Sequence, residues 1–152
     1  MDAYCSLLKT HDHGIAVLTP FGAAAQMKAV LVAVAANFTA PAKQIAAAFQ
    51  LKTGDAVVLS FGSSGQFYSE ITQGAPFEVF LSADAKHPKK LESGGLTVPG
   101  TLFPYAVGKS GSEWIVPDPY YSPIVQDAVL LKDGANDPAS EAGMMLNRYE
   151  IA

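Results

Sequence analysis

The sequence predicts an α/β fold, a three-layer sandwich with helices on both faces of a mostly parallel sheet. Two apolar, β-branched runs, A-V-L-V-A-V-A ending at Ala35 and A-V-V-L-S-F ending at Phe61, each stop at a short polar loop that opens a helix. Runs this apolar belong to strands buried on both faces, and strand, helix, strand in that order reads as a parallel βαβ unit. The composition fits one domain with its own core: 152 residues, 49% hydrophobic and 16% charged.

The stretch 28–35 is the first strand. Thr39 is the expected N-cap of the helix that follows, and Pro41 falls in its first turn, where a missing N–H costs nothing. Ala42, Ile45 and Phe49 recur at i, i+3, i+7 and form the core-facing stripe. Thr53-Gly54 ends the helix with the residue that accepts positive φ. Ala56–Phe61 is the second strand, and Ser63-x-x-Gln66 has capping-box spacing ahead of a helix whose buried stripe is Phe67 and Ile71. Gly74 closes it. Phe77–Leu81 is a third strand, with Asp84 placed to cap a helix over Ala85–Leu91. Thr101–Val107 and Ile124–Leu131 read as further strands, with Trp114 and the Tyr120-Tyr121 pair between them, and Pro138–Leu146 as a last short helix.

Charge and cysteine content narrow the functional classes. A net charge of −4 and the absence of any Lys/Arg stripe with interleaved aromatics argue against nucleic acid as a partner. Lys86, Lys89 and Lys90 form one basic cluster, read as a solvated helix face. The single Cys5 makes no internal disulfide. His11 and His13 flank Asp12, but two imidazoles at i, i+2 without a further ligand pattern do not make a metal site. Gly14–Ala25 has the apolar run and small-residue end of a secretory signal. Asp2, Asp12 and Pro20 depart from that pattern, so residues 1–27 read as an atypical leader or tail; the run is too short to span a bilayer.

The motifs associated with catalysis fail one by one, and no enzyme is expected. G-S-S-G-Q lacks the last glycine of a nucleophile elbow, because Gln66 stands in its place. His87 is the one histidine of the organised part and falls on a predicted surface helix. Gly108-Lys109-Ser110 resembles the end of a phosphate-binding loop, yet Phe103 occupies the position of its first glycine. Asn37, Ser63 and Ser64 then remain, converging where two strands end and two helices begin. They are either an uncharged oxyanion cradle built with backbone N–H groups or simply the caps of their own helices. Spacing alone leaves both readings open.

Longer motifs add a resemblance. A-A-N-F-T-A-P-x-K-Q-I-A-x-x-F, T-G-x-x-V-V-L-S-F-G-S-S-G-Q-x-Y, Q-G-A-P-F-x-V-F-L-S-A-D and P-K-K-L-x-x-x-G-L together resemble the periplasmic molybdate-binding proteins of ABC transporters. The likeness runs from about Lys28 to Lys109 and resumes in S-E-W-I-V-P-x-x-Y-Y-S-P-I-V-Q-D-A-V-L-L-K. Members of that family insert a second α/β lobe of roughly a hundred residues where this chain passes from Lys109 to Ser110.

The resemblance implies a single lobe of a type II periplasmic binding fold over residues 28–152, with the second lobe deleted near 109–110. It implies a molybdate or tungstate oxyanion as ligand and no cofactor, with contacts falling on Ala36, through its backbone N–H, and on Asn37, Ser63 and Ser64. It also implies an ABC transporter permease as partner and a periplasmic location, or a cytoplasmic one if residues 1–27 are not a signal. A lobe open on one side is expected to meet a second copy, so a homodimer is a further expected partner. The alternative class is a non-transport interaction module built on a former binding lobe.

Overall fold

A computed structural model of the chain describes residues 29–108 and 124–143. The leader, Cys5, the H-D-H triplet, Lys109-Ser110, Trp114 and Tyr120-Tyr121 lie outside the described residues. The elements are β1 (Ala29–Ala35), a 3-10 turn (Ala36–Phe38), α1 (Thr39–Thr53), β2 (Ala56–Gly62), α2 (Ser64–Thr72), β3 (Val79–Leu81), α3 (Lys86–Ser93), β4 (Phe103–Gly108) and β5 (Ile124–Leu130). A helix over 138–143, called α4, follows.

The strands form one sheet in the order β2-β1-β3-β5-β4. β1 pairs in parallel with β2 and β3, while β5 runs antiparallel to β3 and β4. Four strands thus share a direction and β5 alone opposes them. The segment Ile124–Leu130, expected as a strand, is one, and the structure places it between β3 and β4.

Alternation along β1 explains the layers. Val30, Val32 and Val34 face a cluster with Ala42 and Phe49 of α1, Ala139 of α4, Leu81 and Leu130. Ala33 points the other way, into Phe67 and Ile71 of α2, Leu91 of α3, Phe80 and Val129. Such a strand has no polar face because both sides are covered. Burying side chains of this size contributes about 1.5–3 kcal/mol each, so the two clusters dominate stability. Gly54, at φ +82°, ends α1 as expected.

Three local expectations need correcting. Thr39 is not the N-cap of α1: a 3-10 turn precedes the helix, and the Thr39 hydroxyl instead donates to the Ala36 carbonyl at 2.8 Å. The third strand begins at Val79 rather than Phe77, because the Phe77 ring turns to pack edge-on against Phe67, at 5.4 Å between centroids. The Ser63–Gln66 capping box is half made. Ser63 Oγ accepts the Gln66 N–H at 3.2 Å, but the Gln66 side chain reaches Glu70 at 2.8 Å instead of returning to Ser63. Asp84 does serve its helix, accepting the His87 N–H at 2.9 Å, although α3 starts a residue late.

Candidate functional site

Register brings the candidate loops together. Ala35 pairs with Gly62 and Val34 with Leu81, so the loops after β1, β2 and β3 open side by side at the carboxyl edge of the sheet. Adjacent strands lie about 4.8 Å apart. The antiparallel β5 begins at this edge, placing Gln126 and Asp127 beside those loops, and Gly108, where β4 ends, is paired with Ile124, where β5 begins. In open α/β sheets the carboxyl edge is where ligands bind.

Each sequence-predicted residue takes a definite place there. Ala36 is exposed and opens the 3-10 turn. Asn37 is exposed, and its Nδ2 donates to Gln126 Oε1 at 2.9 Å. Ser63 is the N-cap of α2. Ser64, only 7% exposed, opens the helix, and its Oγ accepts the Ala83 N–H at 2.9 Å. Both hydroxyls thus accept backbone N–H groups of the fold. A hydroxyl that accepts an N–H still has its own proton to donate, so Ser63 and Ser64 can serve the fold and an anion together. Because Gln66 does not return to the Ser63 N–H, that donor too is left at the helix N-terminus.

Two residues that sequence reasoning missed support this edge. Tyr105 sits at a register shift between Pro104 and Ala106, an irregularity of the kind that re-aims a side chain. Its ring packs edge-on against Phe38 at 4.7 Å, and its hydroxyl faces the Ser82 carbonyl at 3.0 Å and Gln126 Oε1 at 3.1 Å. Burial, with the Asp127 carboxylate nearby, holds the phenol well above its ordinary value, so it stays a proton donor. Gln126 is 8% exposed and joins Asn37 to Tyr105. An apolar strand flanked by a glutamine carries no periodic signal; only the pairing of β4 with β5 reveals it.

The Ser82–Asp84 loop carries the charge. His87, expected on an exposed helix face, is half-buried: its Nδ1 meets Asp84 Oδ2 at 2.8 Å, and its ring lies 5.4 Å from that of Tyr68. Burial pushes the Asp84 carboxyl up, but the His87 backbone N–H and ring outweigh it and hold the group below its usual 3.8. Asp127 shifts the other way, raised by burial and by Asp84 against the pull of Lys89. Lys89, one of the expected solvated cluster, thus acts on this acidic group.

Among the described residues no group of three or more His, Cys, Asp or Glu is arranged to hold a metal, and no helix is long and apolar enough to cross a membrane. A cavity of about 50 Å³ lies under α1, lined by Val32, Ile45, Phe49, Leu59 and Gly143 among others. Its lining is apolar, so it offers an oxyanion nothing, and the candidate site is the loop edge.

Residues 30–111 match the profile described as bacterial extracellular solute-binding protein. The chain is 36% identical to the molybdate-binding protein ModA of Rhodobacter capsulatus over 201 residues, covering 74% of this chain and 80% of that protein. An alignment longer than the chain itself contains a large gap on this chain's side. Identity to the molybdate-binding protein ModA of Azotobacter vinelandii is 62% over 86 residues, 57% of this chain and 34% of that protein. The solved structure of the Azotobacter vinelandii periplasmic molybdate-binding protein superposes with a TM-score of 0.71 at 25% identity, covering 78% of this chain and 92% of that one. The substrate-binding domain of a molybdenum ABC transporter protein described as putative, from Clostridium difficile, has the same fold, with a TM-score of 0.70 at 14% identity over 80% of this chain and 93% of that one.

Proposed function

The chain belongs to the bacterial extracellular solute-binding protein family, and from that premise we propose that it binds a tetrahedral oxyanion of the molybdate or tungstate type as the substrate-binding component of an ABC importer. The observation that carries this reading is the convergence, at one sheet edge, of uncharged donors: the Asn37 carboxamide, the Ser63 and Ser64 hydroxyls and the backbone N–H groups at the start of α2. Helix N-termini attract anions, and hydrogen bonds to an ionised acceptor are stronger than neutral ones.

Selectivity follows from the donors. Molybdate and tungstate are fully deprotonated at neutral pH and take only donors, whereas hydrogen phosphate carries a proton that seeks an acceptor. Ala36 contributes its backbone N–H alone. On this reading the chain works in the periplasm beside a permease, as its relatives' names suggest.

We further read residues 28–152 as one lobe. Gly108 and Ile124 are paired neighbours, and the fifteen residues between them are too few for a domain, which takes about 50 or more. One wall alone would then hold the anion. Calorimetric titration with molybdate, tungstate and phosphate, with light scattering to show whether two copies meet, tests the proposal. Heat from molybdate and tungstate that phosphate does not reproduce is the expected result; no response to any tetrahedral dianion would overturn it in favour of the interaction-module alternative.

A further inference from the structure

Gln126 is the described residue whose placement the fold explains least. It lies beside Asp127 near the start of a strand that ends in the apolar run Ala128–Leu130, it is 8% exposed, and it comes from the segment that follows the proposed deletion. A neutral amide buried at a strand end costs stability unless its hydrogen bonds are made. Its Oε1 has two donors within reach: it accepts from Asn37 Nδ2 at 2.9 Å, and the Tyr105 hydroxyl, whose one proton it shares with the Ser82 carbonyl, lies at 3.1 Å. Tyr105 is anchored in turn by the Ser82 carbonyl at 3.0 Å and by the Phe38 ring at 4.7 Å. The result is a continuous brace from β4 and β5 to the loop after β1.

We propose that Gln126 is a positioning residue for the anion site, acting through Asn37: its side-chain oxygen fixes which way the Asn37 carboxamide faces before the anion arrives. This rests on the oxyanion reading above.

An asparagine on an exposed turn is otherwise free to rotate about two torsions, and its amide presents a donor and an acceptor edge with similar shape. An oxyanion is attracted by one edge and repelled by the other. Gln126 Oε1 is an acceptor only, so it holds the Nδ2 side of Asn37 and leaves one of two orientations. The second Nδ2 proton is then available to a ligand at the loop edge. Tyr105 favours this orientation of Gln126 in turn, because its phenol proton, shared with the Ser82 carbonyl, gives Oε1 a second donor. Preorganisation of this kind improves affinity without adding a contact to the ligand.

The test combines a mutant cycle with a direct readout of orientation. Gln126→Met keeps the length of the side chain and removes the acceptor. It should weaken molybdate binding by calorimetry about two- to tenfold, the value of a neutral hydrogen bond, and should have no further effect in the Asn37→Ala background. Tyr105→Phe should act in the same direction more weakly, and circular dichroism with thermal melts confirms that each variant is folded. Side-chain amide NMR reads the brace without any anion: the two Asn37 Nδ2 proton resonances should be well separated in the parent, converge in Gln126→Met, and separate again in Gln126→Glu, which restores an acceptor. Affinity unchanged in folded Gln126→Met overturns the proposal, and additive losses overturn it in favour of direct contact between Gln126 and the anion. A parent chain that binds no oxyanion overturns the reading on which the proposal rests, and the Asn37 resonances then decide the brace alone: no convergence in Gln126→Met refutes it.

Discussion

Replacing Ser64 by alanine should damage anion binding and folding by separable amounts. The hydroxyl is 7% exposed and has two tasks, accepting the Ala83 N–H at 2.9 Å and offering its proton to the anion. Losing the first strands a part-buried N–H, which costs about 1–3 kcal/mol of stability. Losing the second removes one hydrogen bond to a charged group, about 1.5–3 kcal/mol, or roughly a ten- to 150-fold rise in Kd. Ser63→Ala is the comparison: that exposed hydroxyl caps α2 through Gln66 at 3.2 Å, so its stability cost should be about 0.5–2 kcal/mol, and losing its own donor should weaken binding as well. Urea melts give the first quantity and calorimetry with molybdate, well below the melting temperature, gives the second. A folded Ser64→Ala protein with the parent's affinity would show that Ser64 only ties α2 to the loop after β3, and the cradle reading would be wrong.

Other consequences can be checked as directly. On the proposed one-lobe reading, contacts from a single wall should leave molybdate binding about a hundred- to ten-thousand-fold weaker than in a receptor that surrounds its anion, the loss of two charge-assisted hydrogen bonds, and side-by-side titration with a molybdate-binding relative would refute this if the affinities matched. Phe49→Ala empties a ring that is 2% exposed between α1 and the sheet, so urea melts should show a loss of about 3–5 kcal/mol. Asp84 has its carboxyl held below 3.8 in the folded chain, so its ionised form stabilises the fold above that pH and the benefit fades as pH falls through the lowered value. The stability gap between the parent and Asp84→Asn should therefore close as pH falls below about 3.8; a gap that persists in strong acid would contradict the Asp84–His87 geometry. Asp127 is raised instead, so Asp127→Asn should gain stability at neutral pH and lose that gain in acid, as thermal melts at both pH values would show.

The sequence by itself determined the elements whose signals are local. The apolar runs Ala29–Ala35 and Ala56–Gly62 marked two parallel strands, though only the first is buried on both faces, since β2 is the sheet's edge and leaves Val58 and Phe61 exposed; the spacing of Ala42, Ile45 and Phe49 marked the face of α1, and Gly54 marked its end. Because parallel strands joined by a helix must finish at the same edge, the placing of Asn37, Ser63 and Ser64 together at one sheet edge was legible in the sequence. What the tertiary structure decided depends on partners far along the chain. Asn37 and Gln126 are 89 residues apart, and their contact exists because β5 inserts between β3 and β4, while the register shift at Tyr105 aims a phenol at Gln126. Thr39 turned back to Ala36, and His87 was drawn half inside against Asp84 and Tyr68. Local pattern reports which side of an element is apolar. It carries no register between elements, and register is what selects, among several polar groups near a sheet edge, those that meet.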